Sequence, residues 1–186
     1  VALELGSYLG YSAVRIAQLL QDGAVLYTIE EDRDNAIMAD AIIQHAGLSN
    51  VVVLQGKLES VQSQLPRPMD LVFLDHSKAL YLSEIQRLEE LGFIQPGTTV
   101  VADNIGGCQR VDCGRMNCGC AYARYVRDTG RYSSDFFWGS RDGIEVSIAK
   151  ELGMEAPGHM GATSASMWTC QTLELPYLVR LGLPLC

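Results

Sequence analysis

A chain of 186 residues, 48% apolar and 19% charged, has the size of one ordinary domain and the composition of a folded globular protein. Its net charge of −8, with no basic face in the sequence, argues against a nucleic-acid partner. No run approaches the roughly 20 apolar residues that span a bilayer, and six cysteines are too sparse to demand a disulfide scaffold, so a cytoplasmic setting is expected.

The chain opens on an apolar strand, Val1–Leu5, followed by a Gly-bearing turn and a helix over Tyr11–Leu20 whose Ala13, Val14, Ala17 and Leu20 share a face. Val25–Ile29 reads as the next strand, and Asp34–Ala46 as a helix stopped by Gly47. A third strand, Val51–Leu54, precedes a short helix, Leu58–Leu65, closed by Pro66. Met69–Leu74 is a fourth strand and Leu80–Leu91 its helix; a Pro96–Gly97 turn then leads into Thr98–Ala102. After the Gly- and Cys-rich stretch Gly106–Cys120, a helix resumes at Ala121–Asp128. Two strands near Tyr132–Trp138 and Ile144–Ala149 are expected to form an antiparallel edge hairpin. Buried strands alternating with amphipathic helices predict an α/β, doubly wound, mostly parallel sheet. The segment 151–186 lacks periodicity and is expected to be an irregular tail.

In such a sheet ligands bind beyond the carboxyl ends of the strands. The first strand ends in Glu4-Leu5-Gly6-Ser7-Tyr8-Leu9-Gly10, where two glycines let the backbone approach a ligand closely. The second ends in Thr28-Ile29-Glu30, and an acid in that place can accept both hydroxyls of a ribose. Together they favour a nucleoside-containing ligand; pyrophosphate is disfavoured, because neither G-x-G-x-x-G nor a P-loop lysine is present. The fourth strand ends in Asp75-His76-Ser77-Lys78 and the fifth in Asp103-Asn104. Asp75, Asp103 and Asn104 are hard oxygen donors suited to an octahedral Mg²⁺. Lys78, beside such a cation, is the candidate general base, while His76 is a candidate partner stacked against a ligand.

These motifs, together with Tyr11-Ser12-Ala13-Val14-Arg15 and Val72-Phe73-Leu74, closely resemble the catechol O-methyltransferase family in order and spacing, over roughly Val1–Lys150. The resemblance implies a seven-stranded Rossmann-like methyltransferase fold using S-adenosylmethionine and Mg²⁺. In it Gly6, Tyr8 and Ser12 would surround the methionine part of the cofactor and Glu30 its ribose. His76 would lie on the adenine side, and Asp75 would belong to both cofactor and metal sites. Asp75, Asp103 and Asn104 would hold the ion, and Lys78 would take the proton of a small catechol-like acceptor. The family's N-terminal helices are expected to lie outside this chain, leaving apolar surface through which copies could associate.

The departures fall around the substrate and the base. Ser77 stands where the family has Trp, Leu58-Glu59 where it has Ser-Gln, and Gly107-Cys108 where it has a Pro that walls the substrate. Only Asp135 is available to stand for the acid that grips the second hydroxyl. Two rival functions follow: a catalytically impaired binding module of the same fold, or an enzyme for a bulkier phenol such as a caffeoyl thioester. Cys108, Cys113, Cys118 and Cys120 lack the paired C-x2-C spacing of zinc sites and read as a Cys-rich loop.

Overall fold

The central strands carry near-continuous apolar runs rather than an alternating pattern, which marks strands buried on both faces. The computed structural model, which describes residues 1–109, 120–139 and 142–151, places them inside a seven-stranded sheet. Strands β1 (Ala2–Leu5), β2 (Leu26–Glu30), β3 (Val51–Gln55), β4 (Leu71–Leu74) and β5 (Thr99–Ala102) are parallel neighbours. β7 (Gly143–Ala149) runs antiparallel to β5, and β6 (Tyr132–Trp138) antiparallel to β7 at the edge. The order β3-β2-β1-β4-β5-β7-β6 reverses direction between β1 and β4. The doubly wound expectation and its edge hairpin are met.

Helices cover both faces. α1 (Tyr11–Ala17) and α2 (Arg33–His45) pack Ala13, Ile16, Ala17 and Ile43 against Ala2, Leu26, Phe73 and Val101. α3 (Leu58–Val61), α4 (Tyr81–Glu90) and α5 (Cys120–Asp128) cover the opposite face, where Leu3, Leu5, Val72, Leu74, Val100 and Ala102 project. α2 starts where Asp32 accepts hydrogen bonds from the amides of Asp34 and Asn35, both 2.9 Å, satisfying donors that a helix start leaves open.

Some boundaries differ from expectation for local reasons. α1 stops at Ala17 rather than Leu20, because Leu19 N turns to Ile16 O at 3.0 Å and tightens the last turn. Its fully buried face holds Ile16, while Val14 and Leu20 pack only partly. The helix expected through Leu65 divides into α3 and a 3₁₀ turn, Gln62–Gln64. The tail beyond Glu151 and most of the Cys-rich loop lie outside the described residues. Cys120, which opens α5, is disulfide-bonded and so is not a free thiolate for zinc. No helix among the described residues is long and apolar enough to cross a membrane.

Among the described residues, two carboxyl side chains are fully buried inside this frame. Glu145 of β7, with a side chain 1% exposed, is held by the Arg127 guanidinium of α5, whose Nε donates at 2.7 Å and whose Nη2 makes a second contact. Glu4 of β1 is fully buried; one carboxylate oxygen accepts from Thr28 Oγ1, which also contacts Ser7 Oγ. Burial raises the Glu4 carboxyl to about 7, against the pull of the Ser12 and Thr28 hydroxyls and with added repulsion from Asp75 and Glu30.

Arg127→Met should therefore strand a buried carboxylate and cost about 3 kcal/mol, with much of the loss recovered when Glu145→Gln is added; urea unfolding of the two variants measures both steps. The raised Glu4 carboxyl contributes stability that is fully present below its ordinary value of 4.5 and is lost as pH rises through about 7. Glu4→Gln should match the parent at pH 4 and exceed it by about 3 kcal/mol at pH 8, read from unfolding midpoints in the absence of ligand.

Candidate active site

Where β1 and β4 diverge, their loops leave a crevice of the kind that doubly wound sheets use for ligands. The β1 loop enters it through Gly6 at φ +100°, a backbone state closed to most side chains. A Cβ on residue 6 would lie 2.8 Å from the Asp75 carbonyl oxygen and 2.9 Å from His76 N, so glycine lets the two loops touch. The loop then passes through Tyr8, also left-handed at φ 46°, and Gly10. Tyr8 N donates to Glu30 Oε2 at 2.8 Å, and Asp32 N to Glu30 Oε1 at 3.0 Å. Glu30 is thus clamped at the end of β2 by two backbone amides, its carboxylate on the wall of a cavity of about 440 Å³. Gly6, Tyr8, Ser12, Glu30, Asp75 and His76, the residues expected to hold a nucleoside cofactor, all line that one cavity.

His76 packs its ring against Tyr81 at 5.2 Å, and burial lowers its imidazole to about 4, which keeps it neutral. Tyr81, on the first turn of α4, donates its hydroxyl to Leu74 O at 2.9 Å and reaches Asp103 O at 3.3 Å. One buried phenol therefore ties the ends of β4 and β5 together.

Those ends carry the second cluster. Asp75 is pushed up to about 6 by burial and then by the Asp103 carboxylate beside it, with Lys78 opposing. Asp103 is raised as well, mainly by burial, while the Asn104 amide and Lys78 pull it down. Lys78 Nζ donates to Asn104 Oδ1 at 2.9 Å. Asn104 N donates to Asp103 Oδ1 at 2.8 Å, and Asn104 itself sits at φ 58°, a conformation that asparagine tolerates better than most residues. Lys78, Asn104 and Asp103 are thus joined by hydrogen bonds, and Asp75 lies close enough to feel the charges of Asp103 and Lys78. Two carboxylates whose charges oppose each other, plus an amide oxygen, form a donor set suited to a hard divalent cation. Among the described residues no group of three His, Cys, Asp or Glu side chains is placed to hold an ion; an asparagine completes this set.

Asp135 does not belong here. It lies in mid-β6 opposite Val146 with its side chain exposed, because the hairpin register allows no shift. The acid that does approach is Asp142, whose Oδ1 accepts from Gly106 N at 2.6 Å and Gly143 N at 2.8 Å and whose charge bears on Asp103. The Asp-Gly step before β7 reads in sequence as a hairpin turn, which hides this role. Trp138 was also missed. Its ring lies against Gly106, two residues beyond Asn104, where a Cβ would stand 2.9 Å from Trp138 Cζ3, and Phe136 supports it edge-on at 5.0 Å.

Known proteins resemble the chain in sequence and in fold. Residues 3–105 match the family model described as a methyltransferase domain. A catechol O-methyltransferase of Sus scrofa is 36% identical over 84% of this chain and 86% of its own length. The Bos taurus catechol O-methyltransferase is 38% identical over 82% of the chain, which spans only 57% of that longer relative. Among solved structures, an O-methyltransferase of Bacillus cereus in complex with SAH superposes with TM-score 0.70 at 24% identity, covering 80% of this chain and 73% of that one. The Streptomyces achromogenes O-methyltransferase TomG, in complex with SAM, gives TM-score 0.65 at 27% identity over 80% of this chain and 72% of its own. The chain belongs to the catechol O-methyltransferase-like family of S-adenosylmethionine-dependent O-methyltransferases.

Proposed function

We propose that the chain methylates one hydroxyl of a small catechol-type acceptor, with Mg²⁺ held by Asp75, Asp103 and Asn104. The observation that carries this reading is the Lys78–Asn104 contact of 2.9 Å beside two mutually repelling carboxylates at the edge of the cofactor cavity. The catechol O-methyltransferase relatives support the choice of acceptor. Trp138 supports it too, since an exposed indole beside Gly106 offers a flat wall to an aromatic ring.

S-adenosylmethionine, when bound, supplies a methyl group on a sulfonium that departs as a neutral thioether. Mg²⁺, when bound, supplies a Lewis acid that makes a vicinal hydroxyl easier to ionise. The chain's own residues do the rest. Gly6, Tyr8 and Ser12 shape the donor's methionine end, and the amide-clamped Glu30 accepts from its ribose. Neutral His76 packs between the cofactor cavity and Tyr81 without adding charge. Lys78 takes the hydroxyl proton at Nζ, and Asn104 orients that amine. Holding the acceptor oxygen in line with the methyl converts an encounter into an intramolecular displacement, the largest gain available in a reaction with so little covalent work for the protein.

Methyl transfer to a panel of catechols should require Mg²⁺ and vanish with a chelator; activity indifferent to chelation would overturn the metal role. Asp103→Ala should lower turnover by about a hundredfold or more while sparing S-adenosylhomocysteine binding, measured by calorimetry, because its contact is to the ion and not to the nucleoside.

A further inference from the structure

Asp75 and Asn104 are held in different ways. Asp75 follows β4, and its peptide packs on Gly6. Asn104 lies past β5 at φ 58°, a left-handed state that asparagine visits more readily than most residues but keeps only where its surroundings impose it. Two restraints are local: Asn104 N donates to Asp103 Oδ1 at 2.8 Å, and Asn104 Oδ1 accepts from Lys78 Nζ at 2.9 Å. Neither fixes the chain beyond Asn104. The edge hairpin does that. Ile105 N donates to Gly143 O at 2.8 Å, and Gly106 N donates to Asp142 Oδ1 at 2.6 Å. The same Oδ1 accepts from Gly143 N at 2.8 Å, so one carboxylate oxygen joins the start of β7 to the turn after β5. A Cβ on residue 106 would collide with that oxygen, so the contact requires glycine there.

A carboxylate that only shaped the hairpin would need the Gly143 bond alone. The Gly106 bond spans 36 residues and ends two positions past Asn104. Asp142 is not itself placed as a ligand, because among the described residues Asp75, Asp103 and Asp142 do not come together as a group of three acids around an ion. Its charge bears on Asp103, which leaves two routes to the ion: through the backbone of the turn or through the field of the carboxylate. The two short amide contacts favour the backbone.

We propose that Asp142 is a positioning residue for the divalent ion: by accepting from Gly106 N it holds the Asp103-Asn104 step in the conformation that presents both side chains to the metal. This rests on the Mg²⁺ reading of Asp75, Asp103 and Asn104. Groups that orient metal ligands set affinity without touching the ion, since ligands left loose must be ordered when it binds. The hairpin therefore reaches the metal position through one carboxylate oxygen and the backbone of two residues.

Binding of Mn²⁺, a paramagnetic stand-in for Mg²⁺, to the full chain with S-adenosylhomocysteine present tests this by electron paramagnetic resonance. Asp142→Ala should weaken Mn²⁺ binding by about 10- to 100-fold, the usual effect of losing a group that orients ligands. Its affinity for S-adenosylhomocysteine, measured by calorimetry, should stay that of the parent. Asp142→Asn keeps an acceptor oxygen for Gly106 N without the charge, and should bind Mn²⁺ well above Asp142→Ala. Unchanged Mn²⁺ affinity in Asp142→Ala, or joint loss of Mn²⁺ and nucleoside, would overturn the proposal. So would an Asp142→Asn variant no tighter than Asp142→Ala, which would assign the effect to charge. A parent chain that takes up no Mn²⁺, or an Asp103→Ala control that binds it as the parent does, would instead remove the metal reading and this proposal with it.

Discussion

The site depends on one close approach, the contact between Gly6 and the peptide joining Asp75 to His76. With any side chain at residue 6 the Asp75 carbonyl, 2.8 Å from where a Cβ would stand, would have to retreat. The β4 loop would move with it, and Asp75, which lies between the ends of β1 and β5, would shift relative to Asp103. Gly6 thus serves two functions that look separate in sequence: it opens the nucleoside crevice and it sets the spacing of the acidic pair. The reversal of strand order between the parallel neighbours β1 and β4 supplies the crevice, and the missing Cβ lets its two lips meet.

Charge follows from that geometry. Glu4, Asp75, Asp103 and Glu84 all have carboxyls raised by burial, and all lie in or beside the crevice between the carboxyl ends of the strands. The ligand-free chain therefore holds buried acids with few cations among them, an arrangement that burdens folding. A cofactor that brings a sulfonium acts on the folded state and offsets that burden by linkage, and a divalent ion at the proposed metal position would add to it. A site built to stabilise positive charge is bound to be a weak point of the apo protein. Tyr81 and the Arg127–Glu145 pair act against this by tying β4 to β5 and β7 to α5 where the acids crowd.

Much of this was legible in the chain itself. Apolar runs of four or five residues separated by helical patterns identify the parallel strands, and residues at strand ends identify the crevice, because both depend on local periodicity. Gly6, Glu30, Asp75 and Asp103 are visible for the same reason. The misreadings are places where tertiary geometry decides. Asp135 looks available until the register of β6 against β7 turns it outward. Asp142 looks like a turn former until its carboxylate is seen to cap Gly106, thirty-six residues away.

The two halves of the site differ in how they are made. The donor half comes from consecutive strand ends and backbone amides, whose positions follow from the sheet. The proposed acceptor half joins the end of β5 to Trp138 and Asp142 of the edge hairpin, which approach Gly106 through the antiparallel pairing of β5, β7 and β6. Changes in the hairpin can therefore reshape the wall facing an acceptor without moving Gly6 or Glu30. The departures from the family motifs fall in both halves: Leu58 and Ser77 line the cofactor cavity, while Gly107 follows the end of β5. On the proposed reading, selection among acceptors would fall to the hairpin, whose Trp138 indole lies against Gly106.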